Sequence, residues 1–192
     1  MIKEETVITL ANDGMHNQKA YRTMKDMLNT HSYISPRLYH VVFMGSELSK
    51  DYQDAMKALC FELRRQDIPC QWKACLEVDE EKGLHFHVFL LTEAKYKSPC
   101  SVLNHNSQQW MNVMMQKRLL TYHIAPPHHP MHRSRKGQLL NYATLAGEKL
   151  ADCIVWISYL VKKRSKSDQM THIYFGSRKN RENIEALRLR TV

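Results

Sequence analysis

Paired cysteines, long apolar runs and a full complement of acidic charge are all missing from this chain of 192 residues. The five cysteines, Cys60, Cys70, Cys75, Cys100 and Cys153, are odd in number and contain no C-x-x-C pair. They lie mostly within apolar segments, which argues against a disulfide framework and suits free thiols in a reducing cytoplasm. The longest apolar run, residues 154–161, is interrupted by Ser158 and is too short to span a bilayer. The opening MIKEETVITL has no basic-then-apolar leader pattern. These absences predict a soluble intracellular protein with no membrane partner. No repeat of fixed period is present, and the length suits a single domain over 1–192. Acidic residues number 19 against 28 Lys and Arg, a formal charge of +9 and a pI near 9.3. Such a surface repels basic partners and attracts polyanions such as nucleic acid.

The elements follow from periodicity and punctuation. A helix is expected from about Asn17 to Leu28, then a strand over LYHVVFM, residues 38–44, closed by Gly45 and Ser46. Tyr52, Met56, Leu59, Cys60 and Leu63 recur at helical spacing, so a helix is predicted over Ser49 to Arg65, with Ser49 as its N-cap and Pro69 beyond its end. Residues 71–78 and 84–92 flank the charged turn DEEKG and predict an antiparallel hairpin. A Met- and Gln-rich helix is expected over residues 107–120. A loop follows over residues 122–136, where three prolines oppose regular structure. A helix over Leu145 to Lys163 and a strand over Thr171 to Phe175 complete the order. The fold class is therefore α+β, a central antiparallel β-sheet with helices packed on it, here expected on one face. The core is placed at about 38–179, with 1–35 as an N-terminal helical extension and 180–192 as a basic C-terminal tail.

GLHFHVFLL, residues 83–91, is an apolar strand except for two histidines. Side chains alternate along a strand, so His85 and His87 share one face while Phe86 and Val88 share the other. Glu77 on the first arm of the hairpin can meet them across the ladder. Two imidazoles and one carboxylate form a three-ligand metal site with positions left for water or substrate, which is the catalytic pattern. Further along, in WISYLVKK, Tyr159 and Lys162 lie three apart on the predicted helix and so share a face. An ammonium beside a phenol favours its ionised, nucleophilic form. Arg133, Arg135 and Lys136 in the loop, Lys163, Arg164 and Lys166 after the tyrosine, and Arg178 and Lys179 after the last strand offer a single-strand DNA-binding surface. The histidines His123, His128, His129 and His132 have no regular frame or paired cysteines, so they mark a polyanion-facing loop rather than a zinc site.

The succession GLHFHVFLL, ISYLVKK and IYFGSRK, spanning about Leu38 to Lys179, resembles the HUH endonucleases. More narrowly it resembles the filamentous-phage-type replication proteins of inoviruses and prophage elements. That resemblance implies a Rep-like sheet related to ferredoxin and RRM folds. His85, His87 and Glu77 match the metal ligands, Tyr159 the nucleophile and Lys162 the lysine of Tyr-x-x-Lys, with Lys163 as a substitute. Val155 and Trp156 stand where two-tyrosine initiators carry a second tyrosine, so the single-tyrosine type is implied, with Tyr142 and Tyr174 as possible helpers. The implied activity is metal-dependent nicking and rejoining of single-stranded or hairpin DNA at a replication origin, through a 5′-phosphotyrosine, to start rolling-circle replication in a bacterial cytoplasm. A separate helicase would supply unwinding. The implied cofactor is Mg²⁺ or Mn²⁺: imidazole ligands favour Mn²⁺, whereas Mg²⁺ is more available.

Three other readings stay open on the residues alone. The two-histidine, one-carboxylate set also describes a non-haem iron oxygenase, which gives Tyr159 no task. A non-cleaving DNA-binding adaptor or repressor would keep the fold without the chemistry. The plainest alternative is a basic α+β domain with a core histidine pair.

Overall fold

The computed structural model describes residues 18–46, 48–79, 83–94, 120–124, 142–147, 149–158 and 174–177. In chain order the elements are α1 (Gln18–Asn29), β1 (Pro36–Met44), α2 (Ser49–Arg65), β2 (Cys70–Asp79), β3 (Gly83–Glu93), β4 (Leu120–Ile124), β5 (Ala143–Thr144), α3 (Lys149–Ser158) and β6 (Tyr174–Gly176). The strands form one sheet in the order β4-β1-β3-β2-β6, and β5 also pairs with β1. Every pairing is antiparallel. The α+β class, a central antiparallel sheet carrying helices, is as the sequence predicts. Among the described residues no helix is long and apolar enough to cross a membrane.

Helices cover both faces of the sheet, not one. In β1, Tyr39, Val41 and Phe43 point one way, and with Ala74, Leu76, Phe86, Val88 and Leu90 they pack against Tyr52, Met56, Leu59 and Leu63 of α2. Leu38, Cys75, Phe89 and Leu91 point the other way and pack against Tyr21, Met24 and Leu28 of α1 and Ile154 and Ile157 of α3. The physical reason lies in the two central strands. LYHVVFM and FHVFLL are apolar at nearly every position, and a strand that hides both faces reads as a continuous apolar run rather than an alternating one. Phe86, fully buried between Tyr52, Phe43 and Phe175, contributes roughly 1.5–3 kcal/mol by its burial.

Other boundaries differ from expectation in instructive places. LTYHI, residues 120–124, is a strand paired with His40–Met44, although its chain neighbours are proline-rich. Thr, Tyr and Ile suit a pleated surface, and pairing with β1 outweighs the adjoining breakers. Helix α3 starts at Lys149 rather than Leu145, because Ala143 and Thr144 pair with β1 and Gly147 turns the chain at φ 56°. The described part of the last strand is Tyr174–Gly176, which runs one residue past the expected end, and residues 171–173 lie outside the described residues. The N-cap of α2 is Leu48, which makes no side-chain cap bond. Its place is taken by Ser46, whose hydroxyl accepts from Leu48 N–H at 3.1 Å and donates to the Asp51 carboxylate at 2.7 Å. The helix expected over 107–120 lies outside the described residues up to Leu120, which is in β4.

The β2–β3 hairpin sits near the middle of the sheet, so its position is fixed from both edges and both faces. Gly83 opens β3 at φ 65°, a left-handed value that costs glycine little and other residues more. From the α2 side, the Tyr52 hydroxyl accepts from Ser46 N–H at 3.2 Å and reaches the carbonyls of Ser46 and of Leu84, the latter at 2.8 Å. That contact ties α2 and the loop before it to the strand residue next to His85.

Candidate metal centre

The ladder between β2 and β3 sets Glu77 directly opposite His85, and His87 opposite Cys75. Alternation along both strands then brings Glu77, His85 and His87 onto the face that packs against α1 and α3. Glu77 Oε2 lies 3.5 Å from His85 Nε2 and 3.5 Å from His87 Nε2. One ligand atom from each of the three residues lies within 4.8 Å of the others. All three side chains are buried, with 4, 6 and 8% of their surface exposed. This buried group can hold a metal ion.

The hydrogen bonds around it favour a cation. His85 Nδ1 lies 3.1 Å from the Gly83 carbonyl, which can only accept, so the ring proton sits on Nδ1. In the neutral ring, Nε2 then turns a lone pair toward Glu77 Oε2. Two acceptors facing each other at 3.5 Å in a buried setting repel unless a proton or a metal lies between them. A divalent ion bonded at about 2.0–2.2 Å to each donor spans such a gap, and three protein ligands leave coordination positions for water or substrate. Cys75 adds a weak contact, its thiol pointing at Glu77 Oε1 at 3.7 Å.

A third histidine, not singled out by sequence, belongs to this cluster. His40 on β1 places Nε2 2.9 Å from His87 Nδ1, with the two rings 5.1 Å apart and 29° from parallel. Phe89 stacks on His40 at 4.7 Å and Trp156 of α3 meets it edge-on at 5.7 Å. Burial pushes the His40 imidazole down to about 3, so it is neutral at physiological pH.

No protein-family model, curated protein or solved structure matches this chain. The functional reading rests on the residues themselves.

Of the predicted site residues, the three ligands Glu77, His85 and His87 are brought together. Tyr159, Lys162, Lys163, Arg164, Lys166, Arg133, Arg135, Lys136, Arg178 and Lys179 lie outside the described residues. The described part of α3 ends at Ser158, one residue before Tyr159, and Trp156, Ile157 and Ile154 pack it onto the face that carries the ligands. The two helper tyrosines separate. Tyr142 packs beside Tyr39 and under the Arg37 guanidinium, against the α2-side core and away from the ligands. Tyr174 is on the ligand face, paired with Cys75, and burial pushes its phenol up to about 12, which makes it a poor nucleophile. Cys60, Cys70, Cys75 and Cys153 are buried thiols outside any disulfide, as expected, and Cys100 lies outside the described residues.

His40 was legible as an oddity, since it interrupts LYHVVFM as His85 and His87 interrupt their own strand. What sequence could not supply was the β1–β3 register. It pairs Val42 with His87 and so sets His40 diagonally beside it.

Proposed function

We propose that the protein is a single-tyrosine HUH endonuclease that nicks and rejoins single-stranded DNA, starting rolling-circle replication of a phage, plasmid or mobile element. The observation that carries this reading is the convergence of Glu77 Oε2 on both His85 Nε2 and His87 Nε2 at 3.5 Å. It is supported by the +9 charge, which suits a polyanionic substrate, and by the packing of α3, the helix that leads into Tyr159-x-x-Lys162, on the ligand face.

Each residue has a task. Glu77, His85 and His87 hold a divalent cation, Mg²⁺ or Mn²⁺, which when bound polarises the scissile phosphate and offsets charge as it develops. Tyr159 supplies the nucleophilic oxygen. Its O–H proton passes to solvent, the oxygen bonds to phosphorus, the P–O3′ bond breaks, and the departing oxygen takes a proton from solvent to become a free 3′-OH. The product is a 5′-phosphotyrosine that keeps the energy of the broken bond. Attack by a 3′-OH on the same phosphorus reverses the step without ATP. The Lys162 ammonium favours the ionised phenol. Arg133, Arg135, Lys136, Lys163, Arg164, Lys166, Arg178 and Lys179 supply contacts to the DNA backbone, and those contacts weaken as salt rises.

The test is a denaturing gel for covalent adducts, using purified protein, Mn²⁺ and a library of hairpin-bearing single-stranded oligonucleotides. The expected adduct joins protein to the 5′ end of the downstream fragment and vanishes in Tyr159→Phe, while DNA binding survives. His87→Ala should abolish both cleavage and its metal dependence. Full nicking by Tyr159→Phe would overturn the nucleophile assignment. A library that yields DNA binding but no Mn²⁺-dependent adduct would favour the non-cleaving adaptor instead.

A further inference from the structure

We propose that His40 is a positioning residue for the metal centre: by accepting the proton of His87 Nδ1, it holds His87 in the tautomer whose Nε2 is free to bind metal. The inference rests on the reading of Glu77, His85 and His87 as metal ligands.

Each ligand ring has an outer nitrogen that needs a partner. A ligating imidazole must present a lone pair at one nitrogen, which requires the ring proton at the other, and a partner at that outer nitrogen fixes the choice. His85 stands at the start of β3, near the turn, and its Nδ1 uses the Gly83 carbonyl at 3.1 Å. His87 stands deeper in the sheet, with Val42 of β1 on one side and Cys75 of β2 on the other. The backbone groups beside it are committed to the ladders, so a side chain must serve as the acceptor.

That side chain is His40. The 2.9 Å contact between His40 Nε2 and His87 Nδ1 holds a single proton, and its ownership decides the chemistry. With the proton on His87 Nδ1, His87 Nε2 turns a lone pair toward the point that Glu77 Oε2 and His85 Nε2 also face. With the proton on His40, neutral His87 must carry its own proton on Nε2, pointing at the Glu77 carboxylate, and the ligand atom is blocked. His40 then keeps its own proton on Nδ1 in the metal-ready arrangement. This Nδ1 is buried and has no hydrogen-bond partner among the described residues. An unmet buried donor is costly and is usually found where function requires the residue. The ring is clamped by Phe89 and by Trp156 of α3, so the same helix that leads toward Tyr159 fixes the orientation of the acceptor.

The experiment compares wild type, His40→Phe, His40→Gln and His87→Ala by Mn²⁺ binding, read from the loss of the free-Mn²⁺ electron paramagnetic resonance signal. Phe keeps a flat ring against Phe89 but removes the acceptor, whereas the Gln side-chain oxygen restores it. His40→Phe is expected to weaken Mn²⁺ binding about 10- to 100-fold, the usual range for losing such an outer partner, and His40→Gln by less than about 3-fold. Equal affinity in wild type and a folded His40→Phe would overturn the proposal, as would equal losses in the Gln and Phe variants. A second readout does not depend on any substitution. In ¹⁵N-labelled wild-type protein with Mg²⁺, imidazole NMR should show His87 protonated at Nδ1, and protonation at Nε2 instead would refute the assignment. Wild-type protein that binds no more Mn²⁺ than His87→Ala would overturn the metal reading itself, a result distinct from a silent His40.

Discussion

Adding Mn²⁺ to the metal-free protein is expected to raise its thermal midpoint by several degrees, and the size of the shift can be worked out. The three ligands are buried and already converge, with Glu77 Oε2 at 3.5 Å from each ring nitrogen, so little binding energy goes into ordering them. The ion then binds the folded chain far better than the unfolded one. At a free concentration 100 times its dissociation constant it stabilises the fold by about 2.7 kcal/mol. For a chain of 192 residues each kcal/mol moves the midpoint by roughly 2–4 °C. The expected increment is therefore about 5–11 °C, measured by calorimetry with EDTA in one cell series and a Mn²⁺ titration in the other. Glu77→Gln supplies the control. An amide of the same shape replaces the repelling carboxylate with a group that can donate to a ring nitrogen, so the EDTA midpoint should stay within about 3 °C of wild type while the Mn²⁺ increment collapses. An unchanged wild-type midpoint at millimolar Mn²⁺, or an equal increment in Glu77→Gln, would refute the reasoning.

Other expectations concern the frame of the site. Phe86→Ala removes a fully buried ring from the α2 face of the strand that carries His85 and His87, and should cost about 3–5 kcal/mol in urea unfolding. Gly83→Ala meets no steric neighbour but forces a left-handed φ of 65°, so about 1 kcal/mol should be lost, with weaker Mn²⁺ binding because the Gly83 carbonyl orients His85. Burial, reinforced by Asp152 and opposed by Lys149, pushes the Cys153 thiol up to about 12. Its folded value thus exceeds its unfolded one. The stability it contributes is intact below about pH 9 and declines as the unfolded thiol ionises between pH 9 and 12. Cys153→Ala should flatten that alkaline limb in melts taken from pH 8 to 11. The same burial predicts that Cys153 resists alkylation at pH 8 until the protein is unfolded, which mass spectrometry of iodoacetamide-treated protein would reveal.

The hairpin was legible because its signals are local and agree: two β-rich arms, a charged turn ending in glycine, and a period of two that assigns each side chain to a face. Given those, the Glu77–His85 pairing follows from counting residues back from the turn. His40 was not legible as a partner, since its contact with His87 joins residues 47 apart and depends on a register that no local pattern encodes. The strand at 120–124 was obscured for the opposite reason: strong local breakers follow it, while what makes it a strand is the open edge of β1. The cover on both sheet faces was missed, because one covered face was expected, although LYHVVFM and FHVFLL are each apolar at all but one position, the pattern of a strand hidden on both sides. Ser49 looked like the cap of α2 by type and position, but Ser46 reached the same helix end from the preceding turn.

All three ligands belong to one stretch of eleven residues, 77–87, folded back on itself. Closing so short a segment is fast, on the scale of microseconds for a hairpin. An ion held by the hairpin alone would still lack the partner that His40 on β1 gives His87, so full affinity would wait for β1 to pair and for α3 to seat Trp156 against His40.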